Sequence, residues 1–516
     1  MITYGRKLAL LSILSLLAAA ALGQRPSGRI YVRRIEFEGV MGIDDEVLRR
    51  EMLQLEGGVL NTAALEQSLR RLDRLPYIKT ASAKLRPVPG SADLVDVIVT
   101  IQQAPARRYG GGGGYTASLL GSLHAYFVNE NLFGTGRRLS FRLDGGPLRS
   151  IGGLSYTNPF ARPEGVSRTV TLASRSMSQA TAHASDLGAE IDSVRLDYGY
   201  AAGRAHNRVR PLSSITGLRA RNGPGAETPP ESGAAMLPAV PVLGESDQTV
   251  RFGVSISNVK LTAGASTSAQ LLQWMAANGR SSFGGRSSTA YTELALLFGW
   301  RYDTRDRAVF PDRGLEQSLS ARVAVPGGDA QYYLADYEAT IYWTIGTRWT
   351  VSLDGHLGFG SAYGGETSSL PPYLNWFAGG SDTVRGYRAG TLGPRDSLDH
   401  PYGGNLLLAG RFELLTKWPP RWSKRLRMGV FVDAGNVFST ENVGFQDAAG
   451  RRLDYGFGWS KIRRSAGIAV HVLLPLGELR LSYAAPLDSD AKNPDPFLRD
   501  REERFQVALG VDTGGP

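Results

Sequence analysis

Apolar and polar positions alternate along most of this chain, and the period of that alternation changes near Pro105. Before it, strand-like and helix-like periods are mixed. Arg34-Ile35-Glu36-Phe37-Glu38 alternates as an edge strand does. Val47, Leu48 and Met52 share one face of a short helix that Asp44 is placed to cap. Leu65, Leu69 and Leu72 recur at i, i+4 and i+7 in a second helix, which begins near Asn61 or Thr62 and is closed by Pro76. Lys79 to Arg86 and Leu94 to Ile101 read as two further strands around a Pro89-Gly90-Ser91 turn. The order β-α-α-β-β over residues 28–104 suffices for a small two-layer domain.

After Pro105 the helical period disappears. Strand follows strand, broken by turn clusters such as Asp144-Gly145-Gly146-Pro147 and Pro326-Gly327-Gly328-Asp329. The pattern is clearest at the end. Ala466, Ile468, Val470 and Val472 alternate with Ser465, Gly467, Ala469 and His471. Leu479, Leu481 and Tyr483 alternate with Arg480, Ser482 and Ala484. In the last strand Phe505, Val507, Leu509 and Val511 alternate with Gln506, Ala508 and Gly510. At roughly 10 residues per strand plus turns, residues 105–516 accommodate a transmembrane antiparallel β-barrel of about 16 strands. Two stretches are not strands: residues 207–247, rich in proline and glycine, read as a long outer loop, and residues 361–404 form a loop that contains Arg385.

Composition fits this reading. Met1 to Gly23 has a charged Arg6-Lys7 start, an apolar run from Leu8 to Ala20 and a small-x-small cleavage site, so it reads as a secretory signal peptide. No later segment offers about 18 uninterrupted apolar residues, so no transmembrane helix is expected. A mean hydropathy of −0.18 suits a barrel, in which lipid-facing residues alternate with polar lumen-facing ones. The chain has 0 cysteines and 6 scattered histidines, which gives no disulfide framework, no metal-ligand spacing and no thiol chemistry. The +10 net charge is spread out rather than striped with aromatics. It suits anionic lipid headgroups or lipopolysaccharide better than nucleic acid. The run Gly110, Gly111, Gly112, Gly113 and Gly114 is not followed by the Gly-Lys-Ser/Thr of a phosphate loop. With no nucleophile elbow and no clustered histidines, the chain does not read as an enzyme, and no cofactor is expected.

The ordered motifs resemble the BamA-like family of outer-membrane protein assembly factors, which join POTRA domains to a bacterial surface antigen barrel. The small domain is similar to one barrel-proximal POTRA through Arg29 to Gly39, Val47-Leu48-Arg49-Arg50-Glu51-Met52, Arg74-Leu75-Pro76-Tyr77, Pro87 to Ser91 and Val95-Asp96-Val97. The barrel continues the likeness through Asn131-Leu132-Phe133-Gly134-Thr135-Gly136, Tyr156-Thr157-Asn158-Pro159-Phe160 and Val309-Phe310-Pro311. Val384-Arg385-Gly386-Tyr387, Asp433-Ala434-Gly435-Asn436-Val437, Ser465 to Ile468 and Pro475-Leu476-Gly477 complete it.

The resemblance implies a barrel in the bacterial outer membrane with its POTRA domain in the periplasm. It also implies a poorly paired first and last strand, and an inward loop fixed by its arginine to acidic lumen residues. Alternation points to those partners: Glu413 lies between Phe412 and Leu414, and Asp433 between Val432 and Ala434. The implied function is insertion of unfolded β-barrel clients, templated at the seam, with assembly lipoproteins as candidate partners. The glycine run then loosens the first strand, or else forms a hinge between POTRA and barrel. The alternatives are a polypeptide-secretion pore of the two-partner type and a passive porin or surface antigen. Two departures from the family stand out: a single POTRA domain, and a last strand that runs on through Asp512 to Pro516 instead of ending on an aromatic residue.

Overall fold

The computed structural model describes residues 29–115, 121–162, 165–178, 187–202, 248–264, 267–278, 282–283, 286–307, 310–365, 367–417, 425–446, 450–474, 477–493 and 495–510. The signal-peptide segment, the 207–247 stretch, Val309, Pro475-Leu476, Val511 and the last residues through Pro516 lie outside them. Two compact units emerge. One comprises the described residues through Ala106 with Glu130–Gly136; the other comprises Arg107–Asn129 and the chain from Arg137 onward.

In the small unit, strand β1 (Tyr31–Glu38) lies parallel to β3 (Leu94–Gln103), and β2 (Ile78–Pro87) pairs antiparallel with β3, giving the order β1-β3-β2. Helices α1 (Asp45–Arg49) and α2 (Thr62–Leu72) cover one face. Val47, Leu48, Leu65 and Leu72 from the helices pack on Val32, Ile35, Val97 and Val99 from the sheet. Asn61 caps α2 by accepting from the Ala64 amide at 3.1 Å. Asp44 precedes α1 but makes no side-chain cap; its backbone amide donates instead to Gly134 O at 2.9 Å. The Asn131–Gly136 motif thus belongs to this unit, with Asn131 Nδ2 donating to Gly42 O at 2.9 Å.

The large unit is a closed antiparallel barrel of 16 strands among the described residues. The strands are β4 (Arg107–Gly114), β5 (Ser122–Leu132), β6 (Arg137–Gly145), β7 (Arg149–Arg162), β8 (Val166–Ser178), β9 (Leu187–Ala202), β10 (Gln248–Ala263), β11 (Arg286–Asp303), β12 (Gly314–Ala324), β13 (Tyr332–Ile345), β14 (Trp349–Ala362), β15 (Leu406–Thr416), β16 (Leu426–Phe438), β17 (Arg463–Leu474), β18 (Gly477–Pro486) and β19 (Phe505–Gly510). Alternation translates directly into faces. On β8, Ser167, Thr169, Thr171, Ala173 and Arg175 are buried while Val170 and Leu172 are exposed. Phe252, Ile256, Val430, Ile468 and Phe505 likewise present apolar side chains outward, as contact with lipid requires.

Two expectations need correction. A helix, α3 (Ala269–Asn278), interrupts the run of strands. It buries Leu271, Trp274 and Met275 at i, i+3 and i+4, but Leu272, Ala276 and Ala277 on the exposed side are apolar too, which blurs the helical period. The 207–247 stretch connects the sixth barrel strand, β9, to the seventh, β10, which pair antiparallel. Strand direction alternates from Arg107 onward. The described ends Ala202 of β9 and Gln248 of β10 therefore lie at the end of the barrel where β5 runs into Glu130–Gly136, the inner rim, whereas α3 and the Arg385 loop lie at the other end, the outer rim.

Candidate functional site

The connection between β14 and β15, residues 363–405, folds into the lumen. Tyr373, Trp376, Val384 and Tyr387 have 1% exposure or less and join an apolar cluster with Tyr332, Leu407 and Val437 from the wall. Small residues make the room. A Cβ on Gly358 would collide with the Trp376 ring, and the indole, so seated, donates Nε1–H to Asp336 Oδ1 at 2.8 Å. Gly379 (φ +99) and Gly386 (φ +90) take left-handed conformations that fold the segment between them back on itself.

Arg385 stands at the centre of this segment. Its Nε donates to Asp433 Oδ2 and its Nη2 to Asp433 Oδ1, both at 2.7 Å, and its backbone amide also reaches Oδ2 at 3.0 Å. Nη1 donates to Glu413 Oε1. The guanidinium lies 3.4 Å from the centroid of the Phe431 ring. Arg385, Glu413 and Asp433 are all buried, while Phe412 and Val432 beside the two carboxylates are exposed to the lipid side. A bidentate fork to one carboxylate, a second carboxylate and an aromatic face together satisfy a charge that would otherwise cost several kcal/mol to bury.

The network extends beyond Arg385. Arg480 donates to Asp382 at 2.8 Å, Arg411 donates to Ser381 O at 3.3 Å, and His471 sits between Glu413 (3.5 Å) and Glu478 (2.7 Å). Sequence reading missed Phe431 and His471 as members, although alternation with Asp433 and Ser465 places both on the lumen face. It also missed His356, whose Nε2 lies 2.9 Å from Asp336 and 3.8 Å from Glu338 on the adjacent strand. One imidazole and two carboxylates have the donor chemistry to hold a cation. Here Asp336 is already engaged by Trp376 as well as His356, so the cluster ties the loop to the wall.

A second clamp closes the inner rim. Arg427, 2% exposed on β16, donates to Phe310 O (2.7 Å), Pro311 O (2.9 Å) and Asp312 Oδ1 (2.8 Å). It thereby holds the turn between β11 and β12 against the lumen side of β16, the strand that also carries Phe431 and Asp433.

The seam lies between β19 and β4. Gly110 to Gly114 are all within β4 and pair with Tyr126 to Ser122 of β5, so they sit inside the sheet and not in a hinge ahead of it. Phe505, Val507 and Leu509 face outward on β19, which pairs with β18 over Phe505–Gly510. Across the seam, the described residues show a single bridge, with Tyr115 N donating to Leu509 O (3.2 Å) and Leu509 N to Tyr115 O (2.9 Å). The Arg385 loop reaches the same strand. Gly386-Tyr387 pair with Glu503-Glu502 just before it, and Gln506 Nε2 donates to Tyr387 O at 2.7 Å.

A 16-stranded antiparallel barrel with an apolar outer face, preceded by a small sheet-and-helix domain, defines an outer-membrane β-barrel protein. The chain belongs to the Omp85 superfamily: residues 131–512 match the Omp85 superfamily domain, and residues 30–104 match the surface antigen variable number repeat, a POTRA domain. Its barrel resides in the bacterial outer membrane and its POTRA domain in the periplasm. The chain is similar to the outer membrane protein assembly factor BamA of Neisseria meningitidis serogroup B, with 28% identity across 94% of this chain, and to BamA of Nitratidesulfovibrio vulgaris, with 22% identity across 94%. It spans 57% and 52% of the lengths of those relatives. Among solved structures, BamA from Haemophilus ducreyi lacking POTRA domains 1-3 shares the fold, with a TM-score of 0.77 at 24% identity, covering 94% of this chain and 85% of that one.

Proposed function

We propose that this protein assembles β-barrel proteins into the outer membrane, templating client strands at the seam between β19 and β4. The Tyr115–Leu509 bridge, the one pairing between β4 and β19 among the described residues, carries this reading. The strands that meet at this bridge, the first and the last of the barrel, are the proposed template for strand addition. The glycines of β4 weaken its hold on any one partner. Likeness to two proteins named assembly factors supports the same reading. The loop packed into the lumen argues against a steadily open secretion pore or porin, and nothing in the proposed process requires a cofactor. Unfolded barrel proteins are the proposed clients, the surrounding lipid and lipopolysaccharide the medium, and assembly lipoproteins the proposed periplasmic partners.

The test is a reversible lock. A hydrogen-bonded antiparallel pair has Cα atoms about 5.5 Å apart, within the span of a disulfide, and the chain has 0 cysteines of its own. Tyr115→Cys with Leu509→Cys, reconstituted in liposomes, should fold unfolded barrel clients when reduced and lose that activity when oxidised. Equal activity in both states would refute templating at the seam. No activity in either state, with an intact barrel, would refute the assembly function itself.

A further inference from the structure

Away from the loop clamp and the seam, the arginines that face the lumen on β7 and β8 have no carboxylate partner among the described residues. Arg149 on β7 and Arg175 on β8 both face inward. The ladder pairs Arg175 with the buried Ile151 and Arg149 with Met177, so the two arginines are diagonal neighbours on adjacent strands, close enough for long side chains to interact. Arg175 is 8% exposed, and its Nε is buried without a hydrogen-bond partner. Across the ladders Arg175 shares one row with Ile191, Val259 and Tyr291; the Tyr291 hydroxyl donates to the Tyr373 hydroxyl of the inward loop at 3.1 Å, and Arg322, on β12, reaches Glu293 on the same strand as Tyr291. The Arg322 Nε is also buried without a partner.

The nearby carboxylates are already engaged. Glu293 accepts from Arg322 Nη1 at 3.1 Å and from the Tyr332 hydroxyl at 2.5 Å. Asp144 is forked by Arg142 at 2.6 and 2.9 Å. Four guanidinium groups therefore face two carboxylates, and among the described residues none of those carboxylates pairs with Arg149 or Arg175. A guanidinium cannot shed its proton to relieve the imbalance, and an uncompensated buried charge costs several kcal/mol. A planar fork of donors matches the oxygens of a phosphate group.

We propose that Arg149, Arg175 and Arg322, with the Tyr373 hydroxyl, form a site in the barrel lumen for a phosphate-class oxyanion. The excess of two positive charges matches a dianion. Such a ligand would bridge β7, β8, β12 and the inward loop, joining the half of the wall that the Arg385 clamp does not touch to the loop that it does. Free phosphate and the phosphates of a lipid headgroup share this chemistry.

The purified full chain in detergent is titrated with inorganic phosphate against chloride at matched ionic strength, which removes general screening, and followed by calorimetry and thermal unfolding. The expected result is saturable phosphate binding and a rise in unfolding temperature that chloride does not give. Arg175→Gln should weaken that binding by about tenfold, the loss of roughly one charge-assisted hydrogen-bonded contact. Arg149→Gln serves as an independent variant should Arg175→Gln fail to fold, folding being judged by heat-dependent gel mobility. Repeating the titration in liposomes with and without lipopolysaccharide identifies the source. Competition assigns the lipid phosphate, and unchanged binding assigns free phosphate. Indistinguishable phosphate and chloride curves, or unchanged phosphate affinity in a folded variant, would overturn the site.

Discussion

The side-chain amide of Gln506 donates to the backbone carbonyl of Tyr387 at 2.7 Å, joining the last barrel strand to the loop that Arg385 anchors. Among the described residues that strand has a ladder to β18 on one edge and one bridge on the other, and its inner face supplies a third hold. Arg388 N donating to Arg501 O at 2.8 Å and Arg395 donating to Arg499 O at 2.9 Å extend the hold into the segment ahead of the strand. The seam edge is thus steadied from inside the lumen at its outer end, while the end near Gly510 depends on strand pairing.

Gln506→Leu keeps the volume and removes the donor. Tyr387 O still accepts from Gly380 N at 3.0 Å, so no buried acceptor is orphaned and the cost should be about 1 kcal/mol. Amide exchange at Val507 and Leu509 should accelerate by roughly fivefold, with exchange in β12 to β14 unchanged. Mass-spectrometric hydrogen exchange on the reconstituted protein reads both. A uniform acceleration across the barrel would mean that Gln506 supports general stability rather than the seam.

Arg385→Ala leaves Glu413 and Asp433 facing each other's charge in a buried site, and should destabilise the barrel by about 3–5 kcal/mol. Arg385→Lys retains charge but cannot fork to both Asp433 oxygens, so it should fall between Arg385→Ala and the parent. Urea unfolding in detergent, followed by tryptophan fluorescence, gives the order. If Arg385→Lys matches the parent, the fork contributes nothing beyond charge.

This clamp was legible in the sequence because strand alternation tells which way a residue faces, and in a membrane barrel an inward carboxylate needs a partner. The family resemblance implied that the loop arginine meets lumen carboxylates, and the neighbours Phe412 and Val432 then pointed to Glu413 and Asp433. Alternation does not tell how far along the barrel axis two inward residues lie, nor which strands face each other across the lumen. Arg427 and Phe310 are more than a hundred residues apart and meet only because β16 faces the turn between β11 and β12, so the inner-rim clamp was not readable. Neither was the excess charge around Arg175, since pairing there depends on which carboxylates the fold has already used. Helix α3 was lost for a local reason: Leu272, Ala276 and Ala277 put apolar residues on its exposed side as well as its buried one.

In the POTRA domain, Glu56 accepts the Ile35 backbone amide at 2.7 Å and an Arg49 Nη1–H at 2.9 Å. Those bonds, the backbone one first, hold its carboxyl below the usual glutamate range of 4.5. The stability this contributes is therefore fully present above the unfolded pKa and is lost as pH falls through the lower folded value. Exchange at the Ile35 amide, corrected for its intrinsic pH dependence, should accelerate below about pH 4 in the parent and show no such step in Glu56→Gln. A step that persists in Glu56→Gln would assign the transition to another carboxylate.

Gly467 on β17 offers a way to disturb the loop clamp without altering any charge. A Cβ built there would lie 2.7 Å from Phe431 Cζ and 2.2 Å from Tyr483 O. The Phe431 ring can swing aside, whereas relief of the Tyr483 O contact requires the β17–β18 ladder to shift, so both the ring and the local strand pairing must move. Phe431 forms the face beneath the Arg385 guanidinium, and moving it removes the cation–π contact while leaving Asp433 and Glu413 in place. Gly467→Ala should therefore cost about 1–3 kcal/mol by overpacking and loosen the loop. Gly467→Ala combined with Phe431→Leu should recover part of the overpacking cost, since the smaller side chain vacates the collision, but not the contact with Arg385. Stability of the double variant above that of Gly467→Ala, with Tyr387 and Arg388 amide exchange still faster than in the parent, is the expected pattern. Parent-like loop exchange in Gly467→Ala would show that the Phe431 ring is not what holds Arg385 in position.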